Sequence, residues 1–303
     1  MTRVTMQLLS DLHLEADPFF VATPAPGADL LVLAGDVGSY QTRRDGSVMS
    51  EPDWGLRRFS PLPQHAGWPV PVLYVPGNHE YDGLEMTQAH QDLRRACDRL
   101  GITWLERETL KIGGVRFVGT TLWSDYDALA PARATETERL RQRQKAFRAA
   151  NFYLHKMAGL RDGQLFDAAA MRELGLQCHQ WLRAELSRSH DGPTVVVTHF
   201  APTLHSADPR YGLTPGTAAF CNALDDLLPH ANLWLHGHLH CPTDIQVGSC
   251  RIVANPLGYA SKGEQDAFRP TLTVSVNLPS ATPCPSTYTD PNDGPRRSSG
   301  ETP

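Results

Sequence analysis

The chain has 303 residues, 41% of them hydrophobic and 20% charged, with a formal net charge of −5. That is enough chain to bury a full core as one large α/β domain. The acidic balance gives no basic face for a nucleic-acid polymer, a small phosphorylated ligand needs only a local positive site, and no apolar run approaches a membrane span.

The opening MTRVTMQLLSDLHLE lacks a long apolar run and a small-residue cleavage site, so it does not read as a signal peptide. Val4–Leu9 is the first apolar run, and others come at 30–35, 70–77, 115–123, 194–200, 233–237 and 251–256. Most are continuous rather than alternating, which suits strands covered on both faces. Residues 85–101 place Met86, Ala89, Leu93, Ala96 and Leu100 at helical spacing, with Gly101 as the stop. Residues 171–186 repeat the pattern with Met171, Leu174, Cys178, Trp181, Leu182 and Leu186. Alternating strands and helices predict an α/β fold.

Residues 131–163 form an Arg/Glu-rich helical insert in a domain spanning 1–278, with Thr135 and Glu138 as a capping box. Its cations, Arg133, Arg139, Arg141, Arg143, Lys145 and Arg148, make either a lid that attracts an anionic substrate or a solvated helix face. The solvated face is the commoner arrangement. Residues 279–303, rich in Pro, Ser, Thr and Gly, read as a disordered tail. The six cysteines form no C-x-x-C pair, and a chain this long needs no disulfide staples. They read as free thiols in a reducing cytosol, so the predicted location is cytoplasmic. The sequence carries no signal for oligomeric state.

The residues just after each apolar run decide the functional reading. Val4–Leu9 runs into Asp11 and His13, 30–35 into Asp36, and 70–77 into Asn78, His79 and Glu80. The run at 194 ends in His199, and LWLHGHLHCP, 233–242, holds His236, His238 and His240. Ligands of open α/β sheets bind beyond the C-terminal strand ends, so these residues can converge. A set of N and O donors without thiolate suits divalent ions such as Mn, Fe or Zn. Gly35, Gly77 and Gly237 let the backbone turn and pack close to such a site.

The ordered blocks D-x-H (Asp11, His13), G-D (Gly35, Asp36), G-N-H-E (Gly77–Glu80), the lone His199 and G-H-x-H (Gly237–His240) resemble the calcineurin-like metallophosphoesterase superfamily. The resemblance covers about residues 4–276. It implies a two-sheet β-sandwich flanked by α-helices, with a dinuclear metal site at the C-terminal ends of strands. It assigns Asp11, His13 and His240 to one ion, Asn78, His199 and His238 to the other, and Asp36 as the bridge. The ions, about 3.5–4 Å apart in such sites, would activate a hydroxide that attacks phosphorus in line. His79, outside the ligand set, would stabilise the transition state or protonate the leaving oxygen.

Glu80 either orients His79 or caps the following helix, where a carboxylate is at home. His236 either supports a ligand by hydrogen bonding or packs as a buried histidine. His205 either touches substrate or decorates a loop, and Arg210 and Tyr211 beside it are further candidate substrate contacts. Protein Ser/Thr phosphatases of this superfamily carry an Asp-Arg pair shortly after the bridging aspartate; here Gly38, Ser39 and Tyr40 stand there. The resemblance is therefore closer to small bacterial-type phosphoesterases acting on phosphomonoesters, phosphodiesters or nucleotides. The alternative is a metal-binding scaffold of the same fold without turnover.

Overall fold

The computed structural model describes residues 3–43 and 46–279. The predicted tail, apart from Pro279, lies outside the described residues. In chain order the strands are β1 (Arg3–Leu9), β2 (Leu30–Ala34), β3 (Val72–Val75), β4 (Thr103–Trp104), β5 (Glu108–Ile112), β6 (Val115–Thr120), β7 (Leu160–Arg161), β8 (Gln164–Leu165), β9 (Thr194–Thr198), β10 (Leu233–His236), β11 (Thr243–Val247), β12 (Cys250–Ala254) and β13 (Thr273–Asn277). The α-helices are α1 (Met86–Leu100), α2 (Glu136–Met157) and α3 (Ala168–Leu186).

Two sheets carry the fold, in the orders β13-β1-β2-β3-β4 and β11-β12-β10-β9-β6-β5. Neighbours among β1 to β4 run parallel, as do those among β12, β10, β9 and β6. The edges β13, β11 and β5 are antiparallel. The architecture is thus the expected α/β arrangement of two major sheets flanked by helices.

The continuous apolar runs have a direct cause. Met6, Leu8, Val32, Leu73, Phe117, Val195, Val197, Leu233 and Leu235 form the inner cluster to which both sheets contribute. Leu9, Leu31, Leu33, Tyr74, Val118, Val196 and Trp234, between or beside them in sequence, join a second cluster with residues of the helices. Central strands are buried on both faces, so they are mainly apolar, and the polar residues they carry, such as Gln7, Arg116 and Thr198, are buried with hydrogen-bond partners. The edge strands β5, β11 and β13 bury only alternate positions or fewer, which is why continuous apolar sequence did not announce them.

Helix α1 ends where its sequence says it must, at Gly101 with φ 66°. Its N-cap is Glu85, whose side chain accepts from Gln88 N at 3.0 Å. Helix α2 begins with the predicted capping box, Thr135 N donating to Glu138 Oε2 at 2.7 Å and Glu138 N to Thr135 Oγ1 at 3.3 Å. Only Ala146 and Ala150 of α2 are buried, and the helix packs against the short turn Pro215–Ala219. Among the described residues, no helix is long and apolar enough to cross a membrane.

Candidate metal centre

Five strands deliver polar residues to one edge. β1 leads to Asp11 and His13, β2 to Asp36, β3 to Asn78, β9 to His199 and β10 to His238 and His240. Asp11, His13, Asp36, His238 and His240 all take left-handed backbone angles, with φ from 47° to 71°. Asp and His tolerate that region better than most residues, yet each such position costs about 1–3 kcal/mol, a strain concentrated at functional sites. The adjoining backbone locks these turns: Asp11 N donates to Gly35 O at 3.0 Å and His13 N to Asp36 O at 3.1 Å.

The three glycines beside the ligands leave room for ligands from other strands. A Cβ on Gly77 would lie 2.1 Å from Asp36 Oδ1, one on Gly35 2.3 Å from His199 Nδ1, and one on Gly237 2.5 Å from Asp11 Oδ2.

The side chains converge in three groups that could each hold a metal ion: Asp11, His13 and His240; Asp36, His199 and His238; and His13, Asp36 and His79. Asn78 joins the second group, its Oδ1 3.1 Å from His199 Nε2. Asp36 and His13 each belong to two of the three. His79 also falls within ligand reach of His13 and Asp36.

Behind the ligands stands a second set of acceptors. His13 Nδ1 lies 3.0 Å from Glu15 Oε1 and His240 Nδ1 2.6 Å from Glu264 Oε2. His199 Nδ1 lies 2.9 Å from the carbonyl of Ala34. These oxygens accept, so each Nδ1 carries a proton, and in the neutral ring each Nε2 turns its lone pair to the centre. The Nε2 atoms of His13 and His240 then face each other at 3.0 Å, a contact that only a proton or a cation relieves.

Burial opposes charge throughout, and the partners decide the outcome. Burial pushes Asp11 and Asp36 up, but His240 and His199 outweigh it and hold both below the carboxylate range, Asp11 at about 2. Burial pulls His199 and His240 down, but Asp36 and Asp11 raise each to about 9. His238 is driven well below its ordinary value by burial and then by His199, so it is a neutral imidazole. Asp36 Oδ2 faces His199 Nε2 at 3.1 Å, and Asp11 Oδ2 and His238 Nε2 are buried without a hydrogen bond. Such atoms are costly unless something satisfies them. O and N donors without thiolate, two of them unpartnered, fit divalent cations.

The family model for calcineurin-like phosphoesterases matches residues 6–242. The chain belongs to the calcineurin-like phosphoesterase family. The phosphopantetheinyl hydrolase PptH of Mycobacterium tuberculosis has a similar fold: TM-score 0.60, 22% identity, covering 94% of this chain and 99% of that one. An uncharacterized protein of Acanthamoeba polyphaga mimivirus is 23% identical over 222 residues, 68% of this chain and 74% of its own length.

Four acidic residues of this calcineurin-like phosphoesterase were missed or misread from sequence. Two are Glu15 and Glu264, behind His13 and His240. The third is Asp82, whose Oδ2 lies 2.5 Å from His79 Nδ1, and Ser39 Oγ donates to the same oxygen at 3.2 Å. Support for His79 thus comes from Asp82, held in turn by Ser39. Burial lowers His79, but Asp82 and Asp36 outweigh it and raise it well above its ordinary value. The fourth is Glu80, which does not cap a helix. Its carboxylate accepts from Val37 N at 2.7 Å, Gly77 N at 2.8 Å and Asp36 N at 3.1 Å, tying β2's end to β3's. Glu15 and Asp82 lay two and three residues from His13 and His79, a faint signal; Glu264 had none.

A cavity of about 900 Å³ opens from the centre, reaching Asp36, Asn78, His79, His238 and His240. Tyr211 lines it and is 70% exposed. His205 and Arg210 do not line it: His205 Nε2 lies 3.5 Å from Asp225 Oδ1, and Arg210 is paired with Asp208 at 2.7 Å. Of the cations predicted on the insert, only Lys145 lines the cavity. Arg143 is engaged elsewhere, bidentate on Asp127 at 2.8 and 2.7 Å. His236 ends β10, buried, with Nε2 3.1 Å from Ser206 Oγ.

Proposed function

We propose that the protein hydrolyses a phosphomonoester or phosphodiester bond of a small organic substrate. One divalent ion would be held by Asp11, His13 and His240, another by Asn78, His199 and His238, with Asp36 shared. The observation that carries this reading is the convergence of buried N and O donors, two of them, Asp11 Oδ2 and His238 Nε2, without a hydrogen bond, beside a cavity that Asp36, Asn78, His238 and His240 line and that is large enough for an organic ligand. When bound, such ions polarise phosphoryl oxygens and acidify a water into a nucleophile near neutral pH.

The chain's own residues supply the rest. Asn78 offers a neutral oxygen, so it adds no charge against the phosphate. Glu15, Glu264 and the Ala34 carbonyl fix their histidines with Nε2 inward. His79, its Nδ1 on Asp82, holds a proton at Nε2 for the leaving oxygen. Asp82 is a positioning residue that sets the tautomer and ring orientation of His79. The buried free thiols of Cys97, Cys178, Cys221 and Cys250 fit a cytoplasmic setting.

Hydrolysis of p-nitrophenyl phosphate and bis-p-nitrophenyl phosphate with added Mn²⁺ tests this. Turnover of at least one, abolished in Asp36→Ala, is the expected result. Bound metal with no turnover of either ester across several metals would favour the scaffold alternative.

A further inference from the structure

The walls of the cavity beyond the metal centre are made by two segments outside the sheets, α2 and the loop around residues 207–220. Helix α2 is rich in arginine, yet it presents Ala149, Tyr153, Leu154 and Met157 to the cavity, and the loop adds Pro215 and Phe220. Among the described residues, no arginine lines the space. Its two lysines are Lys145 and Lys262, and Lys262 is already placed 4.0 Å from Glu264 Oε1 and 4.6 Å from the Tyr259 ring centroid. The acidic groups in the walls are spoken for, Asp208 by Arg210 and Glu264 by His240. Tyr153 and Tyr211 are 55% and 70% exposed, large apolar surfaces left uncovered at a ligand-sized space.

A nucleoside polyphosphate brings several negative charges that call for a cluster of cations, with arginine the usual fork for phosphate, and these walls lack one. A sugar phosphate brings hydroxyls all round, whereas the walls offer them only scattered hydroxyls, Thr214, Thr217 and the tyrosines, among mainly apolar side chains. An apolar group asks only to leave water.

We infer that the substrate carries a single phosphoryl group, seated at the metal centre, on a bulky and mainly apolar alcohol that lies between α2 and the 207–220 loop. This rests on the hydrolase reading above and names its substrate class. The reaction is ordinary hydrolysis: water adds to phosphorus, the P–O bond to the alcohol breaks, and the alcohol leaves with one proton. Each methylene buried adds a factor of about four to apparent affinity when fully removed from water.

The test is kcat/KM for alkyl phosphates from ethyl to octyl with Mn²⁺, beside glycerol phosphate and ATP, and equilibrium binding of the matching alkyl phosphonates to the metal-loaded protein. The inference expects kcat/KM to rise at least about tenfold from ethyl to octyl, with octyl phosphate ahead of glycerol phosphate and ATP. Tyr153→Asp and Tyr211→Asp should each flatten that rise, whereas Gln144→Glu, on α2 but outside the lining, should keep it. Turnover with no dependence on chain length, or faster turnover of ATP or glycerol phosphate, overturns the inference and leaves the hydrolase reading standing. Phosphonate binding that tightens with chain length while no ester is turned over does the reverse.

Discussion

The metal centre and the cavity beside it are built by opposite rules. At the centre, polar side chains are buried, their positions set by strand ends and by backbone held at positive φ in Asp11, His13, Asp36, His238 and His240. In the cavity, apolar side chains are left accessible by a helix and a loop that belong to neither sheet. The first arrangement gives up stability for chemistry. The second leaves hydrophobic surface uncovered, which a soluble fold tolerates where a ligand covers it. On the proposed reading, the centre sets the reaction and the added wall sets which substrates are taken.

Breaking the centre should produce the largest effects. Gly77→Ala places a methyl 2.1 Å from Asp36 Oδ1, so Asp36 must move. Displacing reacting groups by about 1 Å costs on the order of 10²-fold, and here the shared ligand itself is displaced. We expect kcat/KM to fall by more than about 10²-fold with metal affinity reduced, measured by hydrolysis and by metal analysis of the same sample. Next comes Asp82→Asn, which keeps the shape but weakens the hold on His79 Nδ1. General acid catalysis contributes about 10²–10⁴-fold, so kcat should drop about 10²-fold with KM and bound metal unchanged and with an altered pH–rate profile. A parallel loss of metal would instead make Asp82 part of the metal-holding structure.

Glu264→Gln should be milder. It removes the carboxylate behind His240 Nδ1, and such outer partners are worth about 10- to 100-fold in metal affinity. We expect about a tenfold weaker Mn²⁺ affinity, read by calorimetric titration, with the melting temperature of the metal-free protein little changed. Smallest of all is the double variant Arg141→Gln, Arg148→Gln. Neither residue lines the cavity, so KM for a phosphorylated substrate should move less than about twofold. A KM several times higher would restore the cationic lid and dissolve the contrast between the two regions.

The contrast also explains what the sequence could tell. The converging residues of the candidate centre were legible because coordination demands particular residue types, and strand ends place them in order: D-x-H, G-D, G-N-H-E, a lone histidine and G-H-x-H. Central strands were legible because burial on both faces makes their sequence mainly and continuously apolar. The edge strands β5, β11 and β13 were not, since half their positions face solvent. The carboxylates behind the ligands were harder still. Glu264 reaches His240 through a turn far from any motif, and Glu80 looked like a helix cap until its oxygens were seen on three backbone N–H groups. Helix α2 showed its arginines in sequence, but not which of its residues line the cavity. Arg143, turned to Asp127, and Leu154, turned to the cavity, are indistinguishable in role before the helix is docked.

The measurement closest to the central claim is calorimetric titration of the metal-free chain with Mn²⁺, wild type beside Asp36→Ala. Two ions per chain in the wild type, with most of that binding lost in the variant, is the predicted result. No binding by the wild type, or two ions retained by Asp36→Ala, would contradict a centre built around a shared Asp36.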